Sequence, residues 1–130
     1  MTKKILFFLL CSMLLAACQE KMEERAERDA RETTEKRCPM RLLDDRSLIL
    51  ERIRFDKATL TWRQEYLFDL KEEGGLNLQV ISDALLQELR NTPSYKPYMD
   101  HGFNFQYVYC RMSDPRDTII NITLTPSDYR

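Results

Sequence analysis

The sequence predicts an α+β domain of order β–β–α–β–β, and three runs of residues carry that reading. Leu60, Trp62, Gln64, Tyr66, Phe68 and Leu70 alternate with Thr61, Arg63, Glu65, Leu67 and Asp69, the period-two signature of a strand with one buried face. Leu78, Ile81, Leu85 and Leu89 recur at helical spacing. Phe103, Phe105, Tyr107 and Tyr109, then Ile120, Ile122 and Leu124, return to period two. An antiparallel sheet with a single helix packed across one face would bury all three sets.

The elements follow in order. Residues 47–56 read as a β-rich segment with Ile49, Ile53 and Phe55 on one face, and Asp56-Lys57-Ala58-Thr59 as the turn into the strand over 60–70; the two form a hairpin. The one Gly-Gly pair, Gly74-Gly75, breaks that strand. Asn77 is placed to cap a helix running to about Asn91, which Thr92-Pro93 ends. A Tyr- and Pro-containing loop spans 94–102, and Ser113 to Asp117 turns the chain between the last two strands, a second hairpin.

Ahead of the domain stand two further regions. Lys3 and Lys4 precede an apolar run over 5–15, which ends in Leu15-Ala16-Ala17-Cys18. The run is about half of the roughly 20 residues a membrane-spanning helix needs, and a basic start, an apolar core and small residues at a cut site are the anatomy of a secretory signal. Leu, two small residues and Cys together closely resemble the lipobox of bacterial lipoproteins. That resemblance implies cleavage between Ala17 and Cys18, a diacylglyceryl thioether on Cys18, and a protein held on a membrane by acyl chains, each buried CH₂ adding about 0.8 kcal/mol. Gln19 is not the Asp that resembles an inner-membrane retention signal, so the resemblance implies outer-membrane delivery on the periplasmic side. Gln19 to Glu24 is also similar to the acidic signal that sends lipoproteins of Bacteroidota to the cell surface. The chain as a whole resembles small lipoproteins of Gram-negative bacteria in which an α+β domain follows a charged tether.

Residues 19–37 are almost entirely charged, with Glu24–Arg28, Glu27–Arg31 and Glu32–Lys36 spaced i,i+4. They read as a solvated, partly helical spacer with no stripe for a core, holding the domain about 25–30 Å from the bilayer at a rise of ~1.5 Å per residue. The organisation is therefore a signal peptide over 1–17, a lipidated tether over 18–37 and a globular domain over 38–130.

Loss of the signal lowers the basic residues from 20 to 18 against 21 acids, a net charge of about −3, which speaks against nucleic-acid binding. Of the four cysteines, Cys11 leaves with the signal and Cys18 takes lipid. Cys38 and Cys110 then read as a disulfide in an oxidising compartment, closing a loop of about seventy residues for on the order of 4 kcal/mol.

The chemical inventory is thin. Asp44-Asp45 and Asp100-His101 are the residues a small envelope enzyme would use. Adjacent carboxylates on a strand point to opposite faces, however, and a lone loop histidine is ordinarily a polar loop residue. Gly74-Gly75 ahead of a helix could form an anion-binding nest, but no Lys-Ser/Thr follows. With one histidine there is no metal-ligand spacing, and no cofactor motif occurs. Tyr95, Tyr98, Phe103, Tyr107 and Tyr109 combine apolar area with polar tips and form a candidate recognition surface, or else ordinary strand and core residues. The reading is a non-enzymatic, membrane-anchored module that binds a protein or envelope component.

Overall fold

The computed structural model describes residues 21–43, 46–69 and 76–130. In chain order they form α1 (Met22–Arg37), β1 (Met40–Arg41), β2 (Leu48–Asp56), β3 (Thr61–Phe68), α2 (Leu78–Asn91), a 3₁₀ turn (Pro93–Tyr95), α3 (Lys96–Asp100), β4 (Asn104–Arg111), β5 (Asp114–Leu124) and α4 (Pro126–Tyr129). The five strands make one sheet in sequence order, β1-β2-β3-β4-β5. The two predicted hairpins are present, β2 with β3 and β4 with β5. The α+β single-domain reading therefore stands.

The seam between the hairpins differs from the all-antiparallel expectation, because β3 and β4 run parallel, Trp62 beside Phe105 and Tyr66 beside Tyr109. A parallel pair needs a crossover rather than a tight turn, and α2 with the 3₁₀ turn and α3 supplies it. Residues 94–102, expected as a loop, thus hold most of these two short helical turns. The last turn is also tighter than expected: β5 already begins at Asp114. A register shift between Leu50 and Arg52 lets Leu50 and Ile53 both point inward and puts Ile49, beside Leu67, on the other face, correcting its grouping with Ile53 and Phe55.

Period two then dictates the layers. Leu50, Ile53, Phe55, Trp62, Tyr66, Phe105, Tyr107, Ile120 and Leu124 are buried on one face; each aromatic ring there removes a large apolar area from water. Arg52, Arg54, Arg63, Glu65, Gln106 and Asn121 occupy the other. Asn77 caps α2 as predicted, accepting from the backbone N–H groups of Gln79 and Val80. Leu85 and Leu89 are buried and Ile81 is partly buried, whereas Leu78 stays 57% exposed; only the C-terminal half of α2 is seated on the core. Helix α4 closes the chain, with Tyr129 Oη donating to the Phe103 carbonyl at 2.7 Å.

The largest correction concerns residues 19–37. From Met22 to Arg37 they are not a solvated spacer but a helix packed against β2, with Ala26 and Ala30 at 0% and 1% exposure. Met22, Ala26, Ala30 and Thr34 stand four apart on one helical row. Two alanines let the helix axis come close to the strand, so a very narrow stripe is enough to bury. Thr34 Oγ1 accepts the Ile53 backbone N–H at 2.9 Å and lies 2.9 Å from the Ile53 carbonyl oxygen. It thereby serves the backbone of β2 past the point where β1, paired only through Met40 and Arg41, has ended.

The expected disulfide is absent too: Cys38 and Cys110 are both free thiols. Cys38 caps α1 ahead of β1, and Cys110 lies on β4. Strands β2 and β3 separate β1 from β4; at about 4.8 Å per strand that distance is well beyond the ~7 Å Cα limit for a bridge. Burial raises the Cys38 thiol pKa above its ordinary value.

Candidate functional site

Packing α1 beside the sheet creates a groove between that helix and the segment from Pro93 to Tyr98. Trp62, Tyr95 and Tyr98 line its aromatic side, and Arg25, Glu32, Lys36 and Arg37 its charged side, around a volume of about 650 Å³. The floor is rigid. Trp62 stacks on Tyr98 at 5.3 Å and meets Tyr95 edge-on at 5.9 Å. Gln64, buried under it, donates to the Tyr95 hydroxyl at 2.8 Å and accepts from Tyr66 at 2.5 Å, so the buried amide is satisfied. Helix α1 is fastened across the groove by the Tyr98 hydroxyl, which donates to the Asp29 carboxylate.

The five aromatic residues proposed as a recognition surface are brought together, but as core. Tyr98, Phe103 and Tyr107 are buried, while Tyr95 and Tyr109 are partly buried against the same cluster. Burial raises the phenol pKa of all four tyrosines, Tyr109 to about 12, so they remain neutral near pH 7 and supply no phenolate for catalysis. For Phe103, Tyr107 and Tyr109 the signal for burial was their period two; Tyr95 and Tyr98, on the 3₁₀ turn and α3, carried no such signal. What the sequence reading missed is the opposite wall of the groove, because residues of α1 had been assigned to a tether. The four-residue row of Met22, Ala26, Ala30 and Thr34 was the signal available for it.

Of the residues an enzyme would use, the described pair Asp100 and His101 turn to different partners. The Asp100 carboxylate accepts from Lys96 Nζ at 3.0 Å, whereas His101 Nε2 lies 3.3 Å from Glu23 Oε1 on α1. The Glu23 carboxyl is held below its ordinary range, chiefly by a backbone N–H hydrogen bond and then by His101. Asp44, Asp45, Gly74, Gly75 and Cys18 lie outside the described residues. Among the described residues no three His, Cys, Asp or Glu side chains are grouped to hold a metal, and no helix is long and apolar enough to cross a membrane. On the other face of the sheet, Arg52, Arg63 and Arg54 surround Glu65 at 2.9, 3.1 and 3.7 Å, which leaves an excess of positive charge around that carboxylate.

The five-stranded sheet with its helices is a fold found in solved structures. It is similar to a Pseudomonas aeruginosa protein described as secreted (TM-score 0.71, 8% identity, 86% of this chain and 100% of that one). It is also similar to EpsS, a pilotin of the Vibrio vulnificus type 2 secretion system (0.65, 14%, 83% and 91%). A third likeness is to AspS, the type II secretion system pilotin of Vibrio cholerae (0.62, 10%, 88% and 97%). At these identities the likeness is one of fold. The chain itself belongs to the family described as a domain of unknown function, DUF8479, whose model matches residues 21–120 and so takes in α1. No curated protein matches the sequence.

Proposed function

We propose that this chain is a lipid-anchored, non-enzymatic interaction module of the bacterial outer membrane, acting as a pilotin-like component of a secretion apparatus. What supports the reading is a motif resembling a lipobox, ending at Cys18, close ahead of a pilotin-like fold whose helix α1 starts at Met22. Only residues 19–21 separate acyl anchor from folded helix, a reach of about 10–14 Å even when fully extended. The domain is therefore held close to the bilayer rather than at the end of a long spacer. The partner is an envelope protein, bound in the groove between α1 and residues 93–98, where the half-buried Tyr95 and the exposed Pro93 offer apolar area and Lys36 and Arg37 favour flanking carboxylates.

Two measurements test this. Metabolic labelling with a clickable palmitate analogue should mark the wild type and not Cys18→Ala; equal labelling would sink the anchor. A photocrosslinker at position 36 in intact envelopes should give a discrete adduct with a secretion-apparatus component, and one at Gln87 on the exposed side of α2 should not. Adducts of the same pattern from both positions, or none from the groove, would reject the docking site.

A further inference from the structure

Strand β5 ends the sheet, and among the described residues no strand lies beyond it. Such an edge presents a row of unpaired backbone N–H and C=O groups, which folded proteins usually defend. Here the defences stop partway. Asp114, Pro115, Arg116 and Asp117 blunt the start of the strand, and a register shift against Tyr109 and Cys110 leaves Ile119 as a bulge. From Ile120 to Thr125 there is no charge, proline or glycine. Asn121 and Thr123 are exposed there and Ile122 is half-exposed. Pro126 then starts α4, so the bare stretch has a defined length.

That stretch is complementary to itself. In an antiparallel pairing centred on Ile122, each Ile122 faces its own copy and Ile120 faces Leu124, all on the helix-covered side of the sheet. Asn121 faces Thr123 on the polar side. No like charges meet, and apolar and polar positions stay in register on both faces. A patch that is self-complementary about a two-fold closes on itself as a dimer. We infer that two copies of this chain associate through Ile120–Thr125 of β5, joining their sheets edge to edge into one continuous sheet.

Sedimentation velocity of the full-length lipoprotein in detergent micelles, over a wide concentration range, tests the inference through a charge swap. With Asn121→Lys and Thr123→Lys together, each new lysine faces a lysine of the second copy. The dimer dissociation constant should rise at least about tenfold, equivalent to ~1.4 kcal/mol. With Asn121→Lys and Thr123→Glu together, each lysine faces a glutamate, and dimerisation should be restored to wild-type strength or better. Both pairs of changes lie at exposed positions, and melts at low concentration should match the wild type. A wild type that stays monomeric throughout overturns the inference, including the case in which a strand of a different protein occupies the edge. Equal dimerisation of the two double variants overturns it as well, since the contact would then lie elsewhere.

Discussion

The two edges of this sheet are treated in opposite ways. At the β2 edge a sixteen-residue helix precedes a two-residue strand, and its Thr34 hydroxyl takes the place of a neighbouring strand at Ile53. At the β5 edge charges, a proline and a bulge blunt the first part of the strand, and among the described residues no strand pairs with the outer side of Ile120–Thr125. The lesson is that a highly charged helix can be structural when a single row of small residues lets it approach a strand closely. Conversely, a strand with ordinary β-forming residues can be the surface that is left for a partner.

The largest way to break this comparison acts on the core that both halves share. Tyr66 and Tyr107 lie near Glu88 of α2, and burial holds both phenols well above the ordinary value of 10. A raised folded-state pKa means that the unfolded chain ionises first as pH rises. The stabilisation is complete below pH 10 and falls by about 1.4 kcal/mol per pH unit for each tyrosine above it. Thermal melts from pH 8 to pH 12, read with phenolate absorbance, should show stability collapsing above about pH 10 with both signals in one transition. Gradual phenolate formation in a still-folded protein would mean that these rings are not buried.

Next in size is the seat of α2. Leu89→Ala should cost about 2–5 kcal/mol in chemical denaturation, whereas Leu78→Ala on the same helix should cost less than about 0.5 kcal/mol, since Leu78 is 57% exposed. Equal losses would contradict the seating of only the C-terminal half.

The closed edge can be tested in two graded ways. Ala30→Leu overfills the contact with β2 and should destabilise by about 1–3 kcal/mol; a solvated tether would tolerate it or gain slightly in helix content. Thr34→Val keeps the shape but removes the hydroxyl, leaving the Ile53 N–H unserved at a cost of about 1–2 kcal/mol. On the open edge, by contrast, Thr123→Ser in the monomer should fall within about 0.5 kcal/mol of wild type. The edges are misassigned if the Thr123 change matches the Thr34 change in the same melts.

Free thiols offer the smallest effect. Denatured without reductant, the protein should react with maleimide at both Cys38 and Cys110, and adding reductant should release no further thiol at either position.

By itself the sequence determined the local layer of this protein. Alternation at 60–70 and 103–109, the Asn77 cap and Leu85 with Leu89 located strands, helix and most of the core, because side-chain period is set by backbone geometry alone. The basic start, the apolar run over 5–15 and the Leu15–Cys18 motif are likewise local patterns of consecutive residues, so their resemblance to a lipoprotein signal is legible without the fold. Only the tertiary structure decided what depends on distance between remote residues. Whether β3 and β4 run parallel follows from where the α2 crossover returns the chain. Whether Cys38 can reach Cys110 follows from the two strands lying between them. Whether Met22–Arg37 is tether or core turned on two alanines, whose small apolar area is a weak signal in a charged run. It becomes decisive only when a strand edge lies close enough to use the space they leave.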